Sequence, residues 1–598
     1  MASVISPQYH IPMHLRQLML VVALFLGGNV FGQDFSTPFE KGNGNTSARY
    51  DEAINYYEQL AETYPQARLL TMGLTDHGKP LHLLLLSADG TFDPAAIKAR
   101  GKAFVLINNG IHPGEPCGID ACMMLARDLI QEERLPEDVV IGIIPVYNIG
   151  GAHNRGAYSR ANQNGPEMHG FRGNARNYDL NRDFVKMDSR NARSFAQIFQ
   201  TYLPDVFVDT HTTNGADYQA VLTLIETQHN KLMPSASEFM TEQLTPALYD
   251  HMEQAEVIMS PYVNVFGRTP DDGFAGFLDL PRYSTGYAAL FQTPCYVTEA
   301  HMFKPFSDRV EATYTFLEGM IGFVEEKGEA LVEAVQAARE EAANASVVDL
   351  AWELDTTEVE AIEFAGYEAQ FVTSELTGQT RLRYDRSQSW TREVPFLNTY
   401  RATLQKEKPS AYLIPQGYIE VIERLEVNGV ELARLQRDTT LRVEVSYLND
   451  VENLPYPYEG HYYHQGLTAE LDTQELKFYA GDVVAFTGQW RDPYLVHVLE
   501  PQAQDAFFRW NFFDAILMQK EYFSSYVFEE TALDLLAADP ELKATFEARK
   551  AEDEAFAQNA RAQLDFIYKH SSYYEPTHRR YPVVRWEGER TALDVVED

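Results

Sequence analysis

Apolar positions along the first half of the chain alternate between two periods. From Tyr50 to Tyr64 they fall at helical spacing, and Leu81 to Leu86, after the His77-Gly78-Lys79-Pro80 turn, reads as a strand. Ala103 to Ile107 is a short unbroken apolar run of the kind buried on both faces of a sheet. Gly118 to Ile130 returns to the helical period, Val139 to Val146 is strand-like, and Ala192 to Tyr202 is helical. Val206-Phe207-Val208 is predicted as a buried strand stopping just before His211, and Cys295-Tyr296-Val297-Thr298 as one ending at Glu299. Ser307 to Glu326 suits a long amphipathic helix, prolonged by a charged, alanine-rich stretch to about Ala345. Such alternation predicts an α/β fold.

Beyond Val347 the texture changes to shorter alternating runs, such as Val359 to Phe364 and Leu441 to Val445, with further strand candidates at Pro409 to Val421 and Asp482 to Phe486. These predict an antiparallel, β-rich accessory domain over 348–505. The remainder, 506–598, mixes helical pattern, notably Glu541 to Phe566 after Pro540, with a basic Arg579-Arg580 segment, and is expected to pack on the accessory domain. With 598 residues, two or three cores are expected.

Composition adds the compartment. His14 and Arg16 precede the apolar run Leu18 to Leu26, and Val30-Phe31-Gly32 before Gln33 offers a cleavage point, so 1–32 reads as a signal peptide and 33–347 as the first mature domain. The apolar run falls well short of the roughly 20 residues that span a bilayer, so stable membrane insertion after cleavage is not expected. The expected location is periplasmic or extracellular. Only Cys117, Cys122 and Cys295 are present, which gives no disulfide framework and suggests small buried side chains. The 49 basic and 87 acidic residues leave a net charge of -38, a surface that repels nucleic acid and anionic lipid.

The chemistry concentrates just past predicted strand ends, where ligands collect in open α/β sheets. His112 and Glu115, three positions apart in a Pro/Gly turn, offer one nitrogen and one oxygen ligand suited to Zn2+, and His211 is the best third ligand. Three protein ligands leave a coordination position for water. Asn181 and Arg182 supply an amide and a permanent cation suited to a carboxylate, and Arg160 a further cation upstream. Asp179 and Asp209 compete for the place of the carboxylate that orients a metal-bound imidazole. His461-Tyr462-Tyr463-His464 has histidines three apart but no matched carboxylate, and reads as a surface or interdomain patch.

This ordered set resembles the zinc carboxypeptidases typified by pancreatic carboxypeptidase A, over roughly residues 50–330, and most closely the large exported bacterial members with a C-terminal extension. The family's His-x-x-Glu pair is similar to His112 and Glu115, its later metal histidine to His211 within Asp209-Thr210-His211-Thr212, and its Asp-x-Asn-Arg segment to Asp179-Leu180-Asn181-Arg182. The resemblance implies a three-layer α/β/α peptidase domain with a mixed sheet, and hydrolysis of peptide bonds by removal of C-terminal residues. It implies that Asp179 orients His112, that Asn181 and Arg182 bind the substrate's terminal carboxylate, and that Glu299 is the general base. Arg160 takes the place of the arginine that polarises the scissile carbonyl, with Arg155 and Arg172 open alternatives. Tyr287 is favoured over Tyr283 as the mobile tyrosine at the substrate's end, because Gly286 offers freedom to move. A metal-dependent deacylase and an inactive peptide-binding module are the competing functional readings.

Overall fold

The computed structural model describes residues 34–213, 215–265 and 267–597. The leader expected over 1–32 lies outside them.

The first half folds as a mixed eight-stranded sheet between layers of helices. Its strands are β1 (Ala67–Leu74), β2 (Pro80–Leu86), β3 (Ala103–Asn108), β4 (Val139–Ile144), β5 (Val206–Thr213), β6 (Leu222–Glu226), β7 (Met259–Pro261) and, after the short β8 (Phe274–Ala275) that belongs elsewhere, β9 (Cys295–His301). They lie in the order β1-β2-β4-β3-β5-β9-β6-β7. The central strands β4, β3, β5 and β9 run parallel, flanked by the antiparallel β2 and β6.

The strands read as unbroken apolar runs because both faces are covered. Successive side chains point to opposite faces, so Val105, Ile107, Ile141 and Val208 meet the helices Tyr50–Thr63, Cys117–Gln131 and Phe306–Asn344. Phe104, Leu106, Val140 and Phe207 meet the helix Arg190–Tyr202, whose start is capped by the Ser189 side chain accepting from Ala192 N–H.

This second face is not closed by the first half alone. Tyr412, Leu425, Tyr494 and Leu499, all fully or almost fully buried, join the same apolar cluster from the C-terminal extension. A long hairpin, Glu360–Thr373 with Thr380–Leu397, also pairs back onto the first half, Phe396 and Leu397 lying beside Phe274 and Ala275 of β8. The extension's main sheet has seven strands, with the hairpin Thr439–Asn453 and His464–Phe478 at one edge. Val584–Trp586 and Val595–Glu597 add two strands from the last hundred residues, and the helices between Ser525 and Lys569 form a small separate apolar cluster.

Three local expectations are corrected. Strands β5 and β9 run on through His211 and Glu299 to Thr213 and His301, because β-branched threonines and sheet pairing continue them beyond the apolar run. In 409–421 only Ala411–Ile414 is extended; the chain turns at Pro415, and Ile419–Val427 is a helix burying Val421, Ile422 and Leu425. The helical pattern of 541–566 is broken twice, at Asp553 and Asn559, whose side chains cap the helices that follow them.

Candidate metal centre

Parallel pairing places the key groups. In the β5/β9 register His211 lies directly beside Glu299, and β3 delivers the chain to the turn that carries His112 and Glu115. One ligand atom from each of His112, Glu115 and His211 lies within 4.8 Å of the others, the sole such group of three or more among the described residues. The three side chains are 2–4% exposed, which removes competing water.

Both imidazoles turn Nδ1 toward the same carboxylate oxygen, Glu115 Oε2, at 3.4 Å for His112 and 3.2 Å for His211. Their far nitrogens are held by separate carboxylates. His112 Nε2 donates to Asp179 Oδ1 at 2.8 Å, and His211 Nε2 to Asp209 Oδ2 at 3.1 Å. The competition left open by the sequence thus resolves with each aspartate serving its own histidine. Such partners fix the ring and raise its basicity toward a metal. Glu115 also accepts from Thr212 N–H at 2.9 Å and from Arg160 Nη1 at 2.7 Å.

The electrostatics favour a cation at this point. Burial works to raise the Glu115 carboxyl, yet Arg160 and His112 hold it well below the usual carboxylate range. Burial likewise opposes charge on His211, but Asp209 and Glu115 draw its pKa well above the usual histidine value. Glu299 is pushed up to about 7, first by burial and further by the Glu115 charge, against the pull of His211. Two imidazoles and one carboxylate with fixed outer partners are a donor set suited to zinc, and the residues present fit that ion.

The cluster lines a cleft of about 330 Å³ together with Arg160, Arg172, Asn181, Arg182, Tyr283 and Glu299. Asn181 and Arg182 occupy a single 3-10 turn started by Asp179, whose side chain accepts from Asn181 N–H at 2.9 Å. The buried Asn181 Oδ1 has no partner among the described residues. Arg182 lies over the Tyr283 ring, 4.5 Å from its centre. Ile225, Val297, Phe277 and Tyr262 add apolar surface to an otherwise largely polar lining.

Other predicted residues stand differently. Tyr287 is fully buried, packed against Phe184, Phe199 and Phe291, and its hydroxyl donates to Asn428 Oδ1 at 2.6 Å, so it does not reach the cleft. Gly286 does not confer mobility: a Cβ there would meet the Leu280 carbonyl oxygen at 2.1 Å, so the glycine permits a close backbone approach. Arg155 donates to the Ser47 and Ala48 carbonyls and does not line the cleft. Arg160 lines the cleft but is taken up by Glu115 and the Thr212 carbonyl. Arg172, left as an alternative by the sequence, donates from Nε to Asp179 Oδ2 at 2.8 Å and carries Nη1 to within 3.4 Å of His112 Nδ1. His301 is buried and stacked on Tyr218, 4.2 Å between ring centres. His461 and His464 pair with Asp188 and Asp514, as expected of an interdomain patch. The three cysteines are free and buried.

The sequence offered Tyr283 only as the second choice, and it did not point to Tyr262 and Phe277, which also line the cleft. Tyr283 precedes the helix Ser284–Ala289 and Tyr287 lies within it, a difference of one helical turn that decides between cleft and core. Among the described residues no helix is long and apolar enough to cross a membrane.

Comparison with known proteins adds an independent line. The sequence model of the zinc carboxypeptidase family matches residues 53–304. Carboxypeptidase 2 of Trichophyton equinum is 21% identical over 471 residues, covering 72% of this chain and 78% of that protein. Carboxypeptidase 2 of Trichophyton tonsurans is also 21% identical, over 467 residues, with the same 72% and 78% covered. Among solved structures, a metallo-carboxypeptidase from Burkholderia cenocepacia is 18% identical, covering 49% of this chain and 70% of its own, at a TM-score of 0.35. Carboxypeptidase A from Helicoverpa armigera is 14% identical, covering 54% and 81%, at a TM-score of 0.36. The His-Glu-His cluster lies inside the matched segment, so residues 53–304, set within a much larger chain, are similar to the zinc carboxypeptidases and hold three candidate ligands for the ion.

Proposed function

We propose that this protein is a zinc-dependent carboxypeptidase that removes C-terminal residues from peptides, with the peptidase unit over 33–347. The observation that carries the reading is the meeting, in one cleft, of a three-ligand metal cluster, a half-buried acid beside His211, and an asparagine-arginine turn suited to a carboxylate.

His112, Glu115 and His211 would hold the ion. Zinc in such a site supplies a water nucleophilic near neutral pH and Lewis acidity toward the scissile carbonyl. Asn181 and Arg182 bind the substrate's terminal carboxylate, the guanidinium through two parallel bonds. Glu299, raised by burial toward neutrality, takes a proton on its carboxylate and returns it to the leaving nitrogen. The position of Arg172 favours it over Arg160 as the cation that meets negative charge developing on the carbonyl oxygen, leaving Arg160 to hold Glu115. Tyr283, rather than Tyr287, closes the substrate's end. The leader expected over 1–32 supports export of a bacterial enzyme to the periplasm or medium.

The test is digestion of a mixed peptide pool by zinc-loaded protein, followed by mass spectrometry. Stepwise loss of C-terminal residues from free-acid peptides, with C-terminal amides left intact, is the expected result. Cleavage of acylated amines in place of peptides would transfer the site to the deacylase reading. Zinc binding without hydrolysis of either class would leave only a binding module.

A further inference from the structure

The outer partner of His112 is itself held from the extension. A two-residue turn, Glu459-Gly460, closes a tight hairpin in which Tyr458 and His461 exchange backbone hydrogen bonds at 2.8 and 3.0 Å. Both turn residues are left-handed, φ +48° and +84°, as such a hairpin requires. The tip presses against the residues that open the Asp-x-Asn-Arg segment: the Cβ position of Gly460 lies 3.1 Å from the Tyr178 ring, so a larger residue would be forced into it. Glu459 Oε2 accepts from Asp179 N–H at 2.8 Å.

Three further contacts anchor the hairpin. His461 Nε2 pairs with Asp188 Oδ2 at 2.7 Å. The Tyr458 ring stacks on Trp510, 6.0 Å between centres. Arg282, next in sequence to Tyr283, is gripped by Asp505 at 2.6 Å and lies about the rings of Tyr458, Tyr463 and Trp510. The extension thus touches the cleft from behind at two points, Asp179 and Arg282.

Asp179 has its side chain fully engaged, one oxygen with His112 and Asn181 N–H and the other with Arg172. Its aim therefore depends on how its backbone is held. The turn it begins is only Leu180–Arg182, too short for a helical ladder to fix its orientation. A side-chain oxygen accepting from the Asp179 N–H is a directional restraint on that backbone.

We infer that Glu459 is a positioning residue of the peptidase site. By accepting from Asp179 N–H, it sets the 179–182 turn that aims the His112 ring at the metal position and Asn181 with Arg182 at the substrate carboxylate. The extension is then part of the active site, although Glu459 touches neither metal nor substrate. The inference rests on the carboxypeptidase reading for its substrate half and on the metal cluster alone for its other half.

The test uses the full chain, zinc-loaded, as wild type, Glu459→Ala and Glu459→Gln. Glutamine keeps a carbonyl acceptor and removes the charge, so it separates loss of the hydrogen bond from general disturbance. Outer partners of metal ligands commonly govern affinity by 10- to 100-fold. For Glu459, one step further out, Glu459→Ala is expected to weaken zinc by about 3- to 10-fold in competition with a chelator, and to raise KM for a free-acid peptide by a similar factor. Glu459→Gln is expected to restore both to within about 2-fold of wild type. Wild-type zinc affinity in Glu459→Ala overturns the inference, as does equal impairment in the two variants. If wild-type protein binds zinc but cleaves no free-acid peptide, the carboxypeptidase reading fails, and the chelator competition still decides the role of Glu459.

Discussion

At the residue scale, function turns on how few side chains are left unspent. Asp179, Asp209, Arg160 and Thr212 N–H are consumed in fixing three ligand groups, whereas Glu299 lies beside His211 with its carboxylate raised to about 7 by burial. Glu299→Gln keeps size and polarity but removes the proton acceptor. It is expected to retain zinc and fold while losing about 10²-fold or more in kcat, read by steady-state kinetics beside metal analysis. Near-wild-type turnover would remove Glu299 from the role of base. His112, Glu115 and His211 were legible in the sequence as polar residues near predicted strand ends, and Asp179, Asn181, Arg182 and Glu299 through the ordered resemblance to the zinc carboxypeptidases. Tyr283 and Arg172 were named only as alternatives, since choosing between neighbouring tyrosines or arginines requires knowing which way each side chain faces.

At the element scale, the helix Cys117–Gln131 packs behind the metal turn and carries a buried acid. Asp120 Oδ1 accepts from Ala48 N–H at 2.9 Å and so ties the N-terminal segment to this helix. Burial pushes the Asp120 carboxyl up to about 7, outweighing the hydrogen bond from Ala48. The unfolded chain titrates it near 3.9, so between about pH 4 and pH 7 the folded state binds the extra proton. Stability from this group is therefore present at low pH and lost as pH rises toward 7, with a slope of at most about 1.4 kcal/mol per pH unit. Asp120→Asn, which keeps an acceptor for Ala48 N–H, is expected to flatten that slope in urea unfolding measured from pH 5 to pH 8. An unchanged pH profile would show that the carboxyl is ionised throughout. Most elements of the sheet were legible from periodicity. The ends of β5 and β9 were not, because threonines and a histidine carry the strands on where hydrophobicity stops.

At the scale of the whole molecule, the extension completes the peptidase core. Tyr412, Leu425 and Tyr494 share an apolar cluster with Phe184, Phe199 and Tyr287, and Arg282 reaches across to Asp505 through a bidentate pair, with Asp505 wholly buried. Removing one member of a buried pair strands the other charge, a cost of about 3–5 kcal/mol. Asp505→Ala is accordingly expected to lower stability by about that amount in chemical denaturation. Loss of the exposed pair between Arg401 and Glu353 should cost under about 1 kcal/mol. Equal small effects would mean that the contact between extension and peptidase is dispensable.

The sequence by itself determined the alternation of strands and helices, because apolar periodicity is a property of the chain read locally, and it offered the candidate ligands and the acid beside them through ordered motifs that resemble a known family. Tertiary structure alone decided which aspartate serves which histidine, that Tyr287 belongs to the core and Tyr283 to the cleft, and that a hairpin 280 residues beyond Asp179 holds its backbone. Each of these depends on the direction of a side chain or the meeting of distant segments, and neither leaves a periodic trace along the chain.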